Sequence, residues 1–147
     1  MGRVEEINIG PFGEVPAPVQ SVEAHAGKGI AGNRYYFEQG AKPGQALTLI
    51  AAEALEGLES EHGIALSAAE SRRNVLTRGI DLNALVGKRF RVGNVECEGI
   101  ELCEPCKDLE RATQPGVIEG LLHRGGLNAD ILTDGVISVG DEVVETG

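Results

Sequence analysis

The chain has 147 residues, 23 of them acidic and 13 basic, giving a formal charge of −10. That length suits one domain with its own core. The charge argues against general affinity for nucleic acid or an anionic membrane, and leaves room only for a local basic pocket. With no Trp, 2 Tyr and 3 Phe, a stacking platform for single-stranded nucleic acid is poorly supported too.

The first ten residues, MGRVEEINIG, contain no continuous apolar run. Neither a signal peptide nor a membrane span is expected, and the reading is cytoplasmic. Val4–Ile9 reads as a strand stopped by Gly10 and Pro11. Pro16 and Pro18 stiffen the lead-in to a second strand, Val19–Ala24. Three glycines, Gly27, Gly29 and Gly32, make His25–Tyr36 a loop whose backbone can approach a ligand closely. Its spacing fits neither a Walker A nor a dinucleotide fingerprint, and a plain connector is an equal reading.

Ala46–Ile50 reads as a buried strand and Ala51–His62 as a helix, with Ala51, Leu55 and Leu58 on one face and Gly63 as its stop. Ser67 and Glu70 have capping-box spacing. Asn74–Thr77 reads as a strand. Asp81 caps a short helix through Leu85, ended by Gly87. Arg89–Val92 and Val95–Glu98 form a hairpin around Gly93-Asn94. Val95 and Cys97 mark one apolar phase, Ile100 and Leu102 the other, and one extra residue near Gly99 would produce that slip. A β-bulge is predicted there.

Pro105 suits the first position of a helix to about Ala112, and a second helix covers Val117–His123. Leu127–Leu132, Val136–Val139 and a segment holding Val143 and Val144 read as strands. With 21 glycines, 6 prolines and many short strands, the expectation is a mainly β, barrel-like single domain over 1–147 with short peripheral helices.

The candidate chemistry is concentrated in Ser71–Thr113. This stretch holds all three cysteines, Cys97, Cys103 and Cys106, and from Arg72 to Arg91 six basic residues face one acid, Asp81. An odd cysteine count in a cysteine-poor chain points to free thiols. Cys103-Glu104-Pro105-Cys106 is a CxxC. A redox pair, a zinc site completed by Cys97 and His123, and a single reactive thiolate compete for it; the β-rich order does not suit a thioredoxin fold, and the spacing matches no common zinc module.

If Pro105 opens a helix, Cys106 lies in its first turn, where the helix dipole, Lys107 and Arg111 favour a negative, nucleophilic, metal-binding sulfur. Cys97 reads as core. Arg72, Arg73, Asn74, Thr77 and Arg78 form the anion-binding candidates, Arg supplying forked donors and Asn and Thr neutral ones. Strand alternation would keep Arg72 and Arg73 from sharing one pocket if both lay in the strand. Lys88, Arg89 and Arg91 read as an exposed face. His25, His62 and His123 show no metal-ligand spacing, His25 being the one beside the glycine loop.

The run RRNVLTRGIDLNALVGKRFRVGNVECEGIELCEPCKDLE closely resembles the MOSC domain, named for the C-terminal domain of molybdenum cofactor sulfurase. GKGIAGNR, residues 27–34, resembles the glycine-rich loop of that family, and GGLNADILTDGVISVGDEV, residues 125–143, its closing segment. The resemblance implies a MOSC-type β-barrel and a single important cysteine. Cys106, followed three positions on by Leu109, fits that cysteine better than Cys103.

It further implies binding of the molybdenum cofactor (molybdopterin), an anionic pterin, with Arg34, Arg72, Arg73, Asn74 and Thr77 as contacts to its phosphate. Cys106 would be the metal ligand or a persulfide-carrying sulfur. A cysteine desulfurase or an electron-donor protein would be the partner, since the sequence holds no pyridoxal phosphate enzyme. Three functions follow: a sulfur carrier or sulfur transferase in metal–sulfur cofactor assembly, a molybdenum-dependent reductase of N-hydroxylated compounds, or a non-enzymatic metal-binding or structural domain using the CxxC. Asn33 departs from the family, which usually has Asp there.

Overall fold

In the computed structural model, residues 2–11 and 13–147 are described. In chain order they form β1 (Gly2–Ile9), β2 (Ala17–Val19), β3 (Ser21–His25), β4 (Gly29–Ile30), β5 (Leu47–Ala51), α1 (Ala52–His62), α2 (Ala68–Ser71), β6 (Val75–Arg78), a 3₁₀ helix (Leu82–Leu85), β7 (Arg89–Val92), β8 (Val95–Leu102), α3 (Lys107–Ala112), α4 (Val117–Gly120), β9 (Leu127–Ile131), β10 (Gly135–Ser138) and β11 (Glu142–Glu145). None of the described helices is long and apolar enough to cross a membrane.

Apolar alternation along the strands closes a seven-stranded barrel. Its circuit runs β1-β6-β5-β9-β8-β7-β11 and returns to β1 through Gly2↔Val143 and Arg3↔Glu142. β2 lies outside the ring on β1, and β10-β3-β4 make a separate sheet. Val4, Ile7, Leu47, Leu49, Val75, Phe90, Val92, Val95, Cys97, Leu127, Ala129, Ile131 and Val143 fill the barrel, each at most 2% exposed. Val4 and Ile7 are three apart, which strict alternation forbids. A register shift between Val4 and Glu6 absorbs the extra residue and turns both inward.

The predicted slip on β8 is present. Its register with β9 shifts between Gly99 and Glu101. A Cβ at Gly99 would overlap the Leu85 carbonyl oxygen, so the end of the 3₁₀ helix packs directly on the strand. The capping box is also formed, with Ser67 Oγ accepting from Glu70 N at 3.1 Å and Glu70 Oε1 from Ser67 N at 3.0 Å. Asp81 caps the 3₁₀ helix through Asn83 N.

Four sequence expectations need correction. The second strand is broken at Gln20: β2 pairs with β1, whereas β3 joins the separate sheet. The glycine loop contains β4, paired with β3. The helix expected to begin at Pro105 begins at Lys107, with Cys106 as its cap residue. The last helix stops at Gly120, because the chain turns at Leu121 and His123 takes a left-handed φ of 61°.

β5 and β6 are the barrel's parallel neighbours. Parallel strands need a crossover rather than a hairpin, and α1 and α2 provide it. On the outside of the barrel, Ala54 and Leu58 of α1, Ile64, Leu66, Leu109 of α3, and Val117 and Leu121 form a second apolar cluster. Leu109, 4% exposed, thereby fixes the short helix that begins beside Cys106.

Candidate functional site: a cavity lined by guanidinium groups and two thiols

Arg34, Arg72, Arg73, Cys103 and Cys106 line one cavity of about 380 Å³, together with Tyr35, Gly44, Gln45, Thr48, Asp108, Leu109 and Asn128. That volume lies within the range of small-ligand sites, roughly 300–1,000 Å³.

Each cation reaches the cavity by a different backbone device. Arg34 follows the glycine loop, where Gly29 and Gly32 take φ of 132° and 87°. Arg34 N donates to Gly10 O at 2.9 Å, and its guanidinium donates to the Glu14 carbonyl. Asn33 is buried and turns its Oδ1 toward Gly10 N at 3.4 Å. Arg72 caps α2 in the left-handed region, φ 63°. This kink precedes β6, which starts only at Val75, so strand alternation does not separate Arg72 from Arg73.

Arg73 is a clamp. Its Nε donates to Gly125 O at 2.7 Å, Nη1 to Ser71 O at 3.2 Å and Nη2 to Cys103 O at 3.2 Å. All three partners are neutral carbonyls, so the charge is held in place without being cancelled, and two of its five N–H donors remain. Among the described residues, the one carboxylate lining the cavity is Asp108. Its side chain is 89% exposed and lies 3.7 Å from Arg111.

The three sulfurs differ in setting. Cys97 is buried inside the barrel, and burial with Glu96 and Asp130 nearby pushes its thiol up to about 12. Cys103 is half-buried. Burial raises its thiol, Arg73 acts against that, and Cys106, Glu101 and Glu104 add to the rise. Cys106 is exposed, and its side chain makes no capping hydrogen bond. The six-residue helix behind it offers less of a dipole than the longer helix expected from Pro105, and Arg111 turns toward Asp108.

Asn74 and Thr77 lie elsewhere. Asn74 is buried; its Oδ1 accepts from Thr48 N at 3.2 Å and Thr48 Oγ1 at 3.1 Å, while Nδ2 donates to Asn8 O at 3.2 Å. Its side chain ties β5 to β1. Thr77 is fully buried, with Oγ1 toward Ile50 O at 3.5 Å. Both answer to the backbone, and neither lines the cavity. Arg78 pairs with Glu5 at 2.6 Å and Glu56 at 2.5 Å. His25 bonds the Tyr36 hydroxyl at 2.5 Å, away from the cavity lining.

Sequence reasoning passed over Thr48, Gln45 and Asn128, which add neutral hydrogen-bonding groups to the wall. The available signal was weak: Thr48 and Asn128 are polar positions in the strands LTLIA and LNADI. Among the described residues, no group of three or more His, Cys, Asp or Glu side chains is placed to hold a metal ion.

A second cavity encloses about 500 Å³. Glu53, Ala54, Ile80, Asp81, Asn83, His123, Arg124 and Gly126 are part of its lining. Its basic side chains are paired: Arg124 with Glu61 at 2.9 Å and His123 Nδ1 with Glu104 at 2.7 Å.

The fold is shared with solved structures. The YUAD protein from Bacillus subtilis superposes with a TM-score of 0.84 at 18% identity, over 100% of this chain and 97% of that one. YiiM from Geobacillus stearothermophilus gives 0.76 at 18%, over 100% and 76%. YiiM from Escherichia coli gives 0.72 at 16%, over 99% and 70%. Comparison with curated proteins finds no match. The sequence model of the MOSC domain matches residues 25–144, most of the chain, and the protein therefore belongs to the MOSC domain family.

Proposed function

We propose that this chain binds the molybdenum cofactor through its guanidinium-lined cavity and uses the Cys106 sulfur to carry sulfur toward it. The observation that carries the reading is the meeting of Arg34, Arg72 and Arg73 with an exposed thiol in one cavity. The residues suit the group on chemical grounds. Arg72 and the two unused N–H donors of Arg73 match a phosphate. Gln45 and Asn128 offer donors and acceptors of the kind a pterin edge requires. Cys106 is the exposed soft ligand. When bound, the cofactor would supply a metal centre able to accept sulfur.

The chain's own part is positioning. Arg73, locked by three carbonyls, gives a fixed positive site with little reorganisation, and Arg72 and Arg34 flank it. Sulfur would come to Cys106 as a persulfide from a partner cysteine desulfurase in a reducing cytoplasm. The test is titration of purified protein with molybdopterin, in parallel with Arg72→Ala and Cys106→Ser. Loss of one charge-assisted phosphate contact is expected to weaken binding roughly tenfold in Arg72→Ala, whereas Cys106→Ser retains the pterin and loses persulfide loading. Equal binding by the parent and Arg72→Ala, or persulfide loading of Cys106→Ser, overturns the reading.

A further inference from the structure

We propose that Cys103 is a resolving thiol that attacks a persulfide on Cys106 and releases the carried sulfur as sulfide inside the guanidinium-lined cavity. The inference rests on the reading of Cys106 as sulfur carrier and adds the step by which the sulfur leaves. Both cysteines line the same cavity, with two residues between them in sequence.

Their anchoring differs in the way such a pair requires. Cys103 is held at both backbone ends: its N donates to Gly126 O at 2.8 Å and its O accepts from Arg73 Nη2 at 3.2 Å. Glu104, the next residue, is clamped onto His123, accepting from its backbone N at 2.8 Å. The Cys106 backbone O accepts from Glu110 N at 3.1 Å, but its side chain makes no capping hydrogen bond. Closure toward Cys103 therefore calls first on rotation of the Cys106 side chain.

Accessibility sets the order of events. Cys106 is exposed and meets the donor first. Cys103 is half-buried, and its thiol is raised by burial. It is a poor acceptor for a bulky donor and suited to intramolecular attack. In the first step the Cys106 thiolate attacks the outer sulfur of a donor persulfide R–S–SH. The Cys106–S–SH bond forms and RS⁻ leaves. In the second step the Cys103 thiolate, its proton passed to solvent, attacks the Cys106 Sγ. The Cys103–Cys106 disulfide forms, the S–SH bond breaks, and HS⁻ leaves beside the guanidinium groups. The two thiol sulfurs are oxidised and the carried sulfur is reduced to sulfide. A dithiol reductant then restores both thiols and is itself oxidised to a disulfide.

The experiment loads the full chain with glutathione persulfide and follows intact mass and free sulfide. In the parent, mass should rise by one sulfur, sulfide should then appear, and peptide mapping should find a Cys103–Cys106 disulfide. In Cys103→Ser and Cys103→Ala the added sulfur should persist, with sulfide release slowed roughly tenfold or more. Release from both variants at the parent rate overturns the inference while leaving Cys106 as carrier. Failure of the folded parent to take up sulfur overturns the carrier reading and the inference with it. A second readout needs no loading: mild oxidation of the parent with diamide should give the same disulfide, and its absence overturns the resolving role.

Discussion

Both cavities contain basic side chains, yet they differ in electrostatic character. In the larger one Arg124 and His123 each face a carboxylate, and Glu53 and Asp81 add negative charge. In the smaller one Arg73 is fixed by three carbonyl oxygens. Arg34 donates to a fourth. The number of cations does not make an anion site. What their hydrogen bonds are spent on does, because a neutral acceptor orients a guanidinium and leaves its charge available. Size is a poor guide here: the larger cavity is the one less suited to an anion.

Gly126, in the lining of the larger cavity, offers the strongest way to break this contrast. Gly126 has φ 120°, and a Cβ there would overlap the Leu49 carbonyl oxygen. Gly126→Ala should cost about 3 kcal/mol or more, read from urea denaturation, and should disturb Cys103 as well as the larger cavity, because Gly126 O accepts from Cys103 N at 2.8 Å. An unchanged midpoint would mean that the close approach of Gly126 to Leu49 does not constrain the fold.

Next in size are the two arginines. Arg73→Ala strands three carbonyl acceptors and should cost about 2–4 kcal/mol, whereas Arg124→Ala removes an exposed pair and should cost about 1 kcal/mol or less. Equal losses in the two variants would erase the distinction between clamp and surface pair.

Affinity tests the sign of each cavity. Inorganic phosphate or a pterin phosphate should bind roughly tenfold more weakly to Arg72→Ala and within about twofold of the parent to Glu53→Gln. A matching loss in Glu53→Gln would place the anion in the larger cavity.

The smallest effect sharpens the picture within one cavity. Iodoacetamide at neutral pH should label Cys106 first. Labelling of Cys103 should lag behind and climb as pH rises, because burial raises its thiol and lowers the share of reactive thiolate at neutral pH. Cys97, pushed up to about 12, should stay unlabelled until the chain unfolds. Cys103 reacting as fast as Cys106 at neutral pH would contradict the asymmetry between the two.

Features set by neighbouring residues were legible in the sequence. The capping box at Ser67 and Glu70, the Gly93-Asn94 hairpin and the slip at Gly99 each depend on a few adjacent side chains. Arg34, Arg72, Arg73 and Cys106 were named as site residues from motif and resemblance, and the structure brings them to one cavity. The misses were non-local. Asn74 reads as an anion donor until Thr48 and Asn8, from distant segments, occupy its amide. Thr48 and Asn128 look like ordinary strand positions until β5 and β9 pair, with Thr48 opposite Asn128. Likewise nothing local separates β9 from β10 into different sheets, because the choice depends on β3 pairing with β10.

The parallel β5–β6 pair carries a consequence for how the molecule assembles. Its long connection delivers Arg72 and Arg73 to the rim, so those side chains reach their places only after a costly, late-forming contact between distant segments. A partly folded chain would hold its sulfurs but no anion. Phosphate protection, followed in real time during refolding, should therefore appear together with barrel completion and serve as a clock for it.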